Sequence, residues 1–132
     1  MTLADWIVLA TVVLAIAAVG VAKQRGRAEY DNANPRDPQF YGEPFRRRAL
    51  GAHQNSLEAV PFFVAAVLLA EFRHVPQGLT DGLAVGFFLA RVAYVVAYLA
   101  NRPTLRSLVW GVAFALNVAL FTSSAWLRWA AG

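Results

Sequence analysis

Polar and charged side chains interrupt the apolar runs of this chain in a pattern that suits a small polar ligand. The first group is Ala52-His53-Gln54-Asn55-Ser56-Leu57-Glu58, which leads into the apolar run 62–70. A helix turns about 100° per residue, so Asn55 and Glu58 share a face with Gly51 one turn earlier. Such groups are costly in a membrane helix unless they face a partner or a cavity. The stretch therefore predicts a polar site.

Two further groups lie in the second half of the chain. Arg91, Tyr94 and Tyr98 follow the spacing i, i+3, i+7 and share one helix face, and Arg106 and Ser107 begin the last apolar run. Convergence of these arginines and phenols with the carboxylate and amide of the first group would create a cavity for a small zwitterionic ligand. That ligand would carry carboxylates and an ammonium group.

Each of these residues also has a purely structural interpretation. Glu58 and Arg91 are both unfavourable alone in an apolar run, so we expect them to meet, directly or through a ligand. Such a pair could instead serve only to fix helix register. Asn55 could be an interhelical hydrogen-bonding residue, His53 a hydrogen-bonded residue at a helix start, and Arg106 a marker of the cytoplasmic membrane boundary.

Four apolar runs must position these groups, and each is close to the roughly 20 residues that span a bilayer as a helix. The chain is 58% hydrophobic and 15% charged, against roughly a quarter charged in soluble domains. We therefore predict an all-α membrane protein, a single four-helix bundle over residues 1–132. The expected helices are about 3–22, 48–73, 79–101 and 104–129, with a loop at about 23–47.

Local signals refine these elements. Pro61 should bend the second helix, and Thr104 is a candidate N-cap of the fourth.

A cleaved signal peptide is the competing interpretation of the first run. No basic region precedes that run, however, and it exceeds the ~7–15 apolar residues of a signal core. We therefore expect it to be retained as a transmembrane helix.

The distribution of charge predicts orientation. Seven of the 12 Lys and Arg residues lie between Lys23 and Arg48. Loops rich in Lys and Arg stay in the cytoplasm, so the first and third connections should be cytoplasmic and both termini non-cytoplasmic, in a bacterial inner membrane. This clustering favours a lipid-bilayer partner over nucleic acid. With no cysteine and two histidines, a thiolate or histidine-rich metal site is not expected.

The chain resembles the MAPEG family, the membrane-associated proteins in eicosanoid and glutathione metabolism. Three segments carry the resemblance: Ala52 to Glu58 with Pro61, Ala90 to Leu99, and Arg102 to Ser107. The resemblance implies a homotrimer of four-helix protomers with ligand sites between protomers, facing the cytoplasm. It also implies reduced glutathione as co-substrate and a small lipophilic electrophile as second substrate, in transferase, isomerase or peroxidase reactions.

The resemblance assigns roles to particular residues. Asn55 and Glu58 would hold glutathione, with Glu58 near its ammonium group. Arg91, Tyr94 and Tyr98 would contact its peptide groups and carboxylates. His53 is included among the candidate binding residues.

The catalytic roles fall on Arg106 and Ser107. A guanidinium beside the sulfur favours the thiolate, which is the nucleophile, and the serine could donate a hydrogen bond to it. One departure is Gly51, where active eukaryotic members usually carry an arginine that helps bind the tripeptide. Basic residues one turn away or on the first helix could compensate; these are Arg47, Arg48, Lys23 and Arg25.

Three functions remain open. The first is a glutathione-dependent transferase or peroxidase. The second is a MAPEG-like protein without that activity, acting as a scaffold or binding another small ligand or lipid, which the glycine at position 51 favours. The third is an exporter of lipophilic cations. A lone carboxylate such as Glu58 fits that chemistry, but the neighbouring arginines do not.

Overall fold

The computed structural model describes residues 1–131 and, over that range, contains four long α-helices and no β-strand. Each helix is long and apolar enough to cross a membrane. The prediction of an all-α, four-helix membrane protein is therefore confirmed. The helices are α1 (Leu3–Arg25), α2 (Pro44–Phe72), α3 (Gln77–Leu99) and α4 (Pro103–Ala131).

Helix α2 begins four residues earlier than the apolar pattern indicated. Glu43 is its N-cap, and the carboxylate accepts hydrogen bonds from the backbone N–H groups of Phe45 at 3.0 Å and Arg46 at 2.9 Å. Pro44 occupies the first helical position, where its missing N–H is not needed. The cap, rather than the first apolar residue, therefore sets the helix start. Helix α2 then continues through Pro61.

The expected N-cap of α4 was wrong. Thr104 lies inside the helix, which begins at Pro103. The Arg106 N–H donates to the Arg102 carbonyl at 2.9 Å, so Arg102 holds the cap position and the proline fills the first turn. A sharp turn precedes it, with Asn101 in the left-handed region at φ 55°. This turn joins the ends of α3 and α4 directly.

Small residues allow α1 and α2 to approach closely. Ala15, Ala18 and Ala22 of α1 are buried, as are Ala49 and Ala52 of α2. Small side chains at a membrane helix interface let the two backbones come together. The face of α2 that carries alanines is thereby used for packing against α1, which leaves Asn55 to face α3.

The 18 residues between α1 and α2 fold over one end of the bundle. We call this the basic end; it also contains the α3–α4 turn. Phe40 and Tyr41 form a short 3₁₀ turn and are buried. Arg46 of α2 forms an ion pair with Glu29 of the loop at 2.6 Å, and its guanidinium lies 4.7 Å from the centre of the Phe40 ring. The loop is therefore packed onto the helices.

Candidate functional site

A buried arginine joins α3 to α2. Arg91 is 1% exposed. Its Nη1 and Nη2 groups donate to Asn55 Oδ1 at 3.2 and 3.1 Å, and Nη2 also donates to Ser56 Oγ at 2.9 Å. Hydrogen bonds to a charged group are stronger than neutral ones, and they are required when the group is removed from water. The guanidinium is thus solvated by an amide and a hydroxyl.

Of the two expected ways for Glu58 and Arg91 to meet, directly or through a ligand, the direct pair is not formed. Among residues 1–131, no oxygen of Glu58 lies within ion-pair distance of Arg91. Asn55 stands between them: its Oδ1 accepts from Arg91, while its Nδ2 donates to Glu58 Oε2 at 3.5 Å. Glu58 is exposed and retains most of its hydrogen-bonding capacity. The two charged groups are therefore connected through a neutral amide and are not in direct contact.

Alternating arginine and tyrosine side chains line the basic half of the site. The Arg91 guanidinium lies 4.2 Å from the Tyr94 ring centre, and the Arg106 guanidinium lies 4.5 Å from that of Tyr98. The two rings meet edge to face, with centroids 5.7 Å apart. Cations over ring faces and edge-to-face ring pairs are both attractive arrangements. We call this set the arginine–tyrosine ladder.

Three members of the ladder, Tyr94, Tyr98 and Arg106, line a cavity of about 260 Å³ near the basic end. Arg106 has no acidic partner within the described part of the chain. Its charge is therefore available to an anionic ligand group, with an exposed serine hydroxyl beside it. The basic-end cavity is lined by Asn55, Tyr94, Tyr98, Arg106, Ser107 and Trp110.

A second cavity of about 210 Å³ lies deeper in the bundle, between α2, α3 and α4. It shares Asn55 and Trp110 with the basic-end cavity. Asn117 lines it and is 3% exposed; this residue was not among the predicted site residues, although a lone amide within an apolar run was a signal for it. The mid-bundle cavity is lined by Asn55, Glu58, Ala59, Phe62, Phe87, Arg91, Trp110, Ala113, Phe114 and Asn117.

Gly51 makes a close approach to the ladder. A Cβ atom at this position would overlap the Tyr98 hydroxyl and would lie 2.9 Å from Tyr98 Cζ. The tyrosine ring therefore occupies the space beside α2 into which a side chain at position 51 would project. The ring can rest there only because residue 51 is glycine.

Three predicted binding residues lie outside both cavities. His53 Nδ1 lies 2.7 Å from the Ala15 carbonyl of α1, on the opposite side of α2 from Arg91. Arg47 Nη2 donates to the Gly42 carbonyl at 2.7 Å, and Arg48 Nε donates to the Leu99 carbonyl at 3.3 Å. These side chains hold α2 to α1, to the loop and to α3. No group of three His, Asp or Glu side chains in residues 1–131 is arranged to hold a metal ion.

The helices and the site define an integral membrane bundle with a polar cavity built from arginine, tyrosine and asparagine. The sequence profile of the MAPEG family matches residues 3–126, which is nearly the whole chain. The chain therefore belongs to the MAPEG family. Members of this family often bind glutathione and are generally trimeric. No curated protein matches the chain.

Proposed function

We propose that this protein is a membrane-embedded, glutathione-dependent transferase or peroxidase that acts on lipophilic electrophiles. The observation that carries the proposal is the free Arg106 guanidinium in the basic-end cavity, stacked on Tyr98 and adjacent to Ser107. Family membership supports glutathione as the ligand.

The chemistry follows from the charge of Arg106. An unperturbed thiol has a pKa of about 8.5, and a nearby guanidinium lowers it by stabilising the thiolate, which is the attacking form. Arginine remains charged even in poorly hydrated surroundings, so it serves this purpose near lipid better than lysine. The Ser107 hydroxyl donates to the same sulfur. Glu58 accepts from the ammonium group of the tripeptide.

The basic-end cavity is smaller than the roughly 300–1,000 Å³ of typical small-molecule sites. The protomer therefore supplies part of the glutathione site, and a neighbouring protomer of a homotrimer completes it. In this proposal, His53, Arg47 and Arg48 contact glutathione from that neighbour, because none of them lines a cavity with Asn55. Large apolar side chains exposed along α1, such as Val13 and Ile16, suit either a protomer contact or lipid.

The basic end faces the cytoplasm of a bacterial inner membrane in this proposal, and both termini lie on the opposite side. Its support is the clustering of Lys and Arg around the first loop. Glutathione would then enter from the cytoplasm, and a lipophilic electrophile from the bilayer. A cysteine introduced at exposed Arg36 should be labelled by a membrane-impermeant maleimide only in inverted vesicles; labelling in right-side-out vesicles would reverse the orientation.

Calorimetric titration of the detergent-solubilised protein with glutathione tests the proposal. Glu58→Gln should weaken binding, whereas Arg106→Ala should mainly reduce thiolate absorbance, by up to about tenfold for a one-unit rise in the thiol pKa when the pH lies below that pKa. Arg102→Ala is the matched control, because Arg102 is exposed and lines neither cavity. Thiolate absorbance that is equal in the wild type and Arg106→Ala would exclude the catalytic role of Arg106.

A MAPEG protein without glutathione activity is the second candidate. Two contacts favour it: Tyr98 fills the space beside Gly51, and Arg91 already donates to Asn55 and Ser56. The first leaves no room for a side chain at position 51, and the second uses hydrogen-bonding groups that a tripeptide would need. No saturable binding of glutathione at millimolar concentration would favour this candidate, in which the fold acts as a scaffold or binds another small ligand or lipid.

A further inference from the structure

A groove with three basic side chains lies at the end of the bundle opposite the basic end. The turn between α2 and α3 and the last turns of α4 enclose it, and its volume is about 540 Å³. Arg73 and His74 come from the turn, and Arg128 comes from α4. All three are exposed, and none of the described residues that line the groove is acidic. We call this the turn-end groove. It shares no lining residue with the two cavities of the candidate functional site.

The carboxylates at the same end of the bundle are used by the first turn of α1. Glu71 accepts a hydrogen bond from Thr2 Oγ1 at 2.7 Å, and Asp81 accepts one from the Ala4 N–H group at 2.9 Å. Asp5 accepts from the Thr2 N–H group at 2.8 Å. Across residues 1–131, no carboxylate lies within ion-pair distance of an arginine of the groove. Acidic and basic groups are therefore separated at this end, which leaves a local positive charge in the groove.

The two guanidinium groups of the groove retain most of their donors. Arg128 Nε donates to the Ser124 carbonyl at 3.0 Å, which uses one of the five N–H donors of a guanidinium. Its two Nη groups, and the whole side chain of Arg73, donate to no other group in the part of the chain that the structure describes. Planar guanidinium groups bind phosphate oxygens through paired N–H donors. The groove therefore has the donors that a phosphate group requires.

His74 has a backbone conformation that favours glycine. Its φ is 54°, and it follows the end of α2 in a Schellman motif. In this motif the His74 N–H donates to the Glu71 carbonyl, and the Val75 N–H donates to the Ala70 carbonyl, both at 3.0 Å. Glycine is the usual residue at this position, because a Cβ atom is disfavoured there. The turn thus keeps an imidazole at the groove although glycine would suit the backbone better.

The groove lies at the ends of two membrane-spanning helices, which is the level of the lipid headgroups. Helix α2 ends at Phe72, immediately before Arg73, and Arg128 lies in the last turn of α4. Phe72 lines the groove and is 80% exposed, and Trp129, which follows Arg128, is 87% exposed. Exposed aromatic side chains at the end of a span contact the interface between headgroups and hydrocarbon. A molecule in the groove would therefore touch both polar and apolar lipid layers.

We propose that the turn-end groove binds the headgroup of one anionic phospholipid. Arg73 and Arg128 donate to its phosphate oxygens, His74 donates to a further headgroup oxygen, and the acyl chains lie against Phe72 and Leu127. The lipid carries a net negative charge, because no described lining residue is a carboxylate that could receive the ammonium group of a zwitterionic headgroup. Basic groups near a membrane surface attract anionic lipids. The apolar part of the groove favours a phospholipid over free inorganic phosphate.

The arginines also have a structural interpretation that the test must exclude. Both lie at the C-terminal ends of helices, where a positive charge complements the helix dipole. That role would stabilise the helices but would not select among lipids. The lipid site needs neither glutathione nor the arginine–tyrosine ladder, so its failure and that of the proposed function are distinguishable.

The test is calorimetric titration of the detergent-solubilised full chain with short-chain phosphatidylglycerol, phosphatidylcholine of the same chain length, or inorganic phosphate, with protein-free detergent as blank. The wild type should bind phosphatidylglycerol at least about fivefold more tightly than phosphatidylcholine. Arg73→Gln and Arg128→Gln should each weaken phosphatidylglycerol binding about fivefold, and the double variant should not distinguish the two lipids. His74→Gly, which suits the backbone, should weaken binding at least about twofold. Arg102→Gln is the matched control, because it removes the same charge from the exposed α3–α4 turn.

Several results would overturn the proposal. Equal affinity of the wild type for the two lipids would mean that the groove does not select a charged headgroup. An unchanged lipid preference in the double variant, with wild-type helical circular dichroism, would leave the arginines with the helix-dipole role alone. A loss in Arg102→Gln as large as that in Arg73→Gln would attribute binding to overall charge. Inorganic phosphate that binds as tightly as phosphatidylglycerol would identify a free phosphate site instead. Unchanged affinity in His74→Gly would overturn the role of the histidine.

Discussion

The contact between Gly51 and Tyr98 predicts that a single added methyl group will disturb the site. Alanine at position 51 places Cβ against the Tyr98 hydroxyl and 2.9 Å from Cζ, closer than real Cβ atoms come to a neighbour. The ring must move away from α2. Because the Arg106 guanidinium rests 4.5 Å from the centre of the same ring, it loses part of its support.

The magnitude can be worked out from two opposing effects. Overpacking a well-filled contact costs about 1–3 kcal/mol. Replacement of glycine by alanine inside a helix gains about 0.5–1 kcal/mol. Gly51→Ala should therefore change the free energy of unfolding by about zero to 2.5 kcal/mol, in the destabilising direction. Gly111→Ala is the matched control, because nothing lies within 4 Å of its added Cβ and only the gain applies.

The assay is unfolding of the detergent-solubilised protein by sodium dodecyl sulfate, followed by circular dichroism. Gly51→Ala should be less stable than Gly111→Ala by about 1–3 kcal/mol, the overpacking cost alone. In a Tyr98→Leu background, which removes the hydroxyl and Cζ, Gly51→Ala should become as harmless as Gly111→Ala. The same cost of Gly51→Ala in both backgrounds would refute the reasoning, because the cost would then not arise from Tyr98.

Three further predictions concern individual groups. Asn55→Leu leaves buried Arg91 without two hydrogen bonds and should lower the free energy of unfolding in the same assay by about 2–3 kcal/mol, whereas exposed Gln54→Leu should change little. Two backbone N–H donors lower the pKa of Glu43 from its ordinary value of 4.5. The stability that Glu43 contributes is therefore present above pH 4.5 and lost as pH falls further, and in pH-jump circular dichroism Glu43→Gln should lack this acid-dependent component. Burial raises the pKa of Tyr41 above its ordinary value of 10.0, because the folded protein favours the neutral phenol. The stability that Tyr41 contributes is therefore lost as pH rises from 10.0 through the pKa of the folded state. Tyr41→Phe should unfold less readily at alkaline pH than the wild type.

Each of these predictions has a contrary result. Equal stability of Asn55→Leu and Gln54→Leu would mean that Arg91 is solvated by other groups. If Glu43→Gln unfolds at the same acid pH as the wild type, the N-cap carboxylate does not control the acid transition. A Tyr41→Phe variant that loses helicity at the same alkaline pH as the wild type would show that another group controls that transition.

The apolar pattern was sufficient to predict the helices because each span must bury or present a continuous apolar surface to lipid. The spacing of Arg91, Tyr94 and Tyr98 predicted a shared face, and the rings and guanidinium do stack on that face. Helix geometry fixes such i, i+3, i+7 relations within one element. Which side chains share a face of one helix can therefore be predicted from the sequence alone.

Side-chain contacts between helices were harder to predict from the sequence. Whether Glu58 and Arg91 would meet directly depended on which α2 side chain reaches α3, and the side chain that reaches it is that of Asn55. Position along the helix cannot distinguish neighbours on one face when their side chains differ in length and direction. Asn117 was equally hard to assign, because a single amide has no period, and its significance appears only when the neighbouring helices enclose it.

The separation of Glu58 from Arg91 bears on the kind of ligand that the proposed site would accept. A direct ion pair would have neutralised both groups and left a cavity with little net field. With Asn55 between them, Glu58 and Arg91 line the mid-bundle cavity without direct contact, and Arg106 lines the neighbouring basic-end cavity. A lipophilic cation would gain from the carboxylate but would be repelled by both arginines, which argues against the exporter hypothesis. A fatty acid, which is an anion, would be attracted by the arginines but repelled by Glu58. In the proposed function, the ligand is a zwitterion whose ammonium group would match the carboxylate and whose anionic groups would match the arginines.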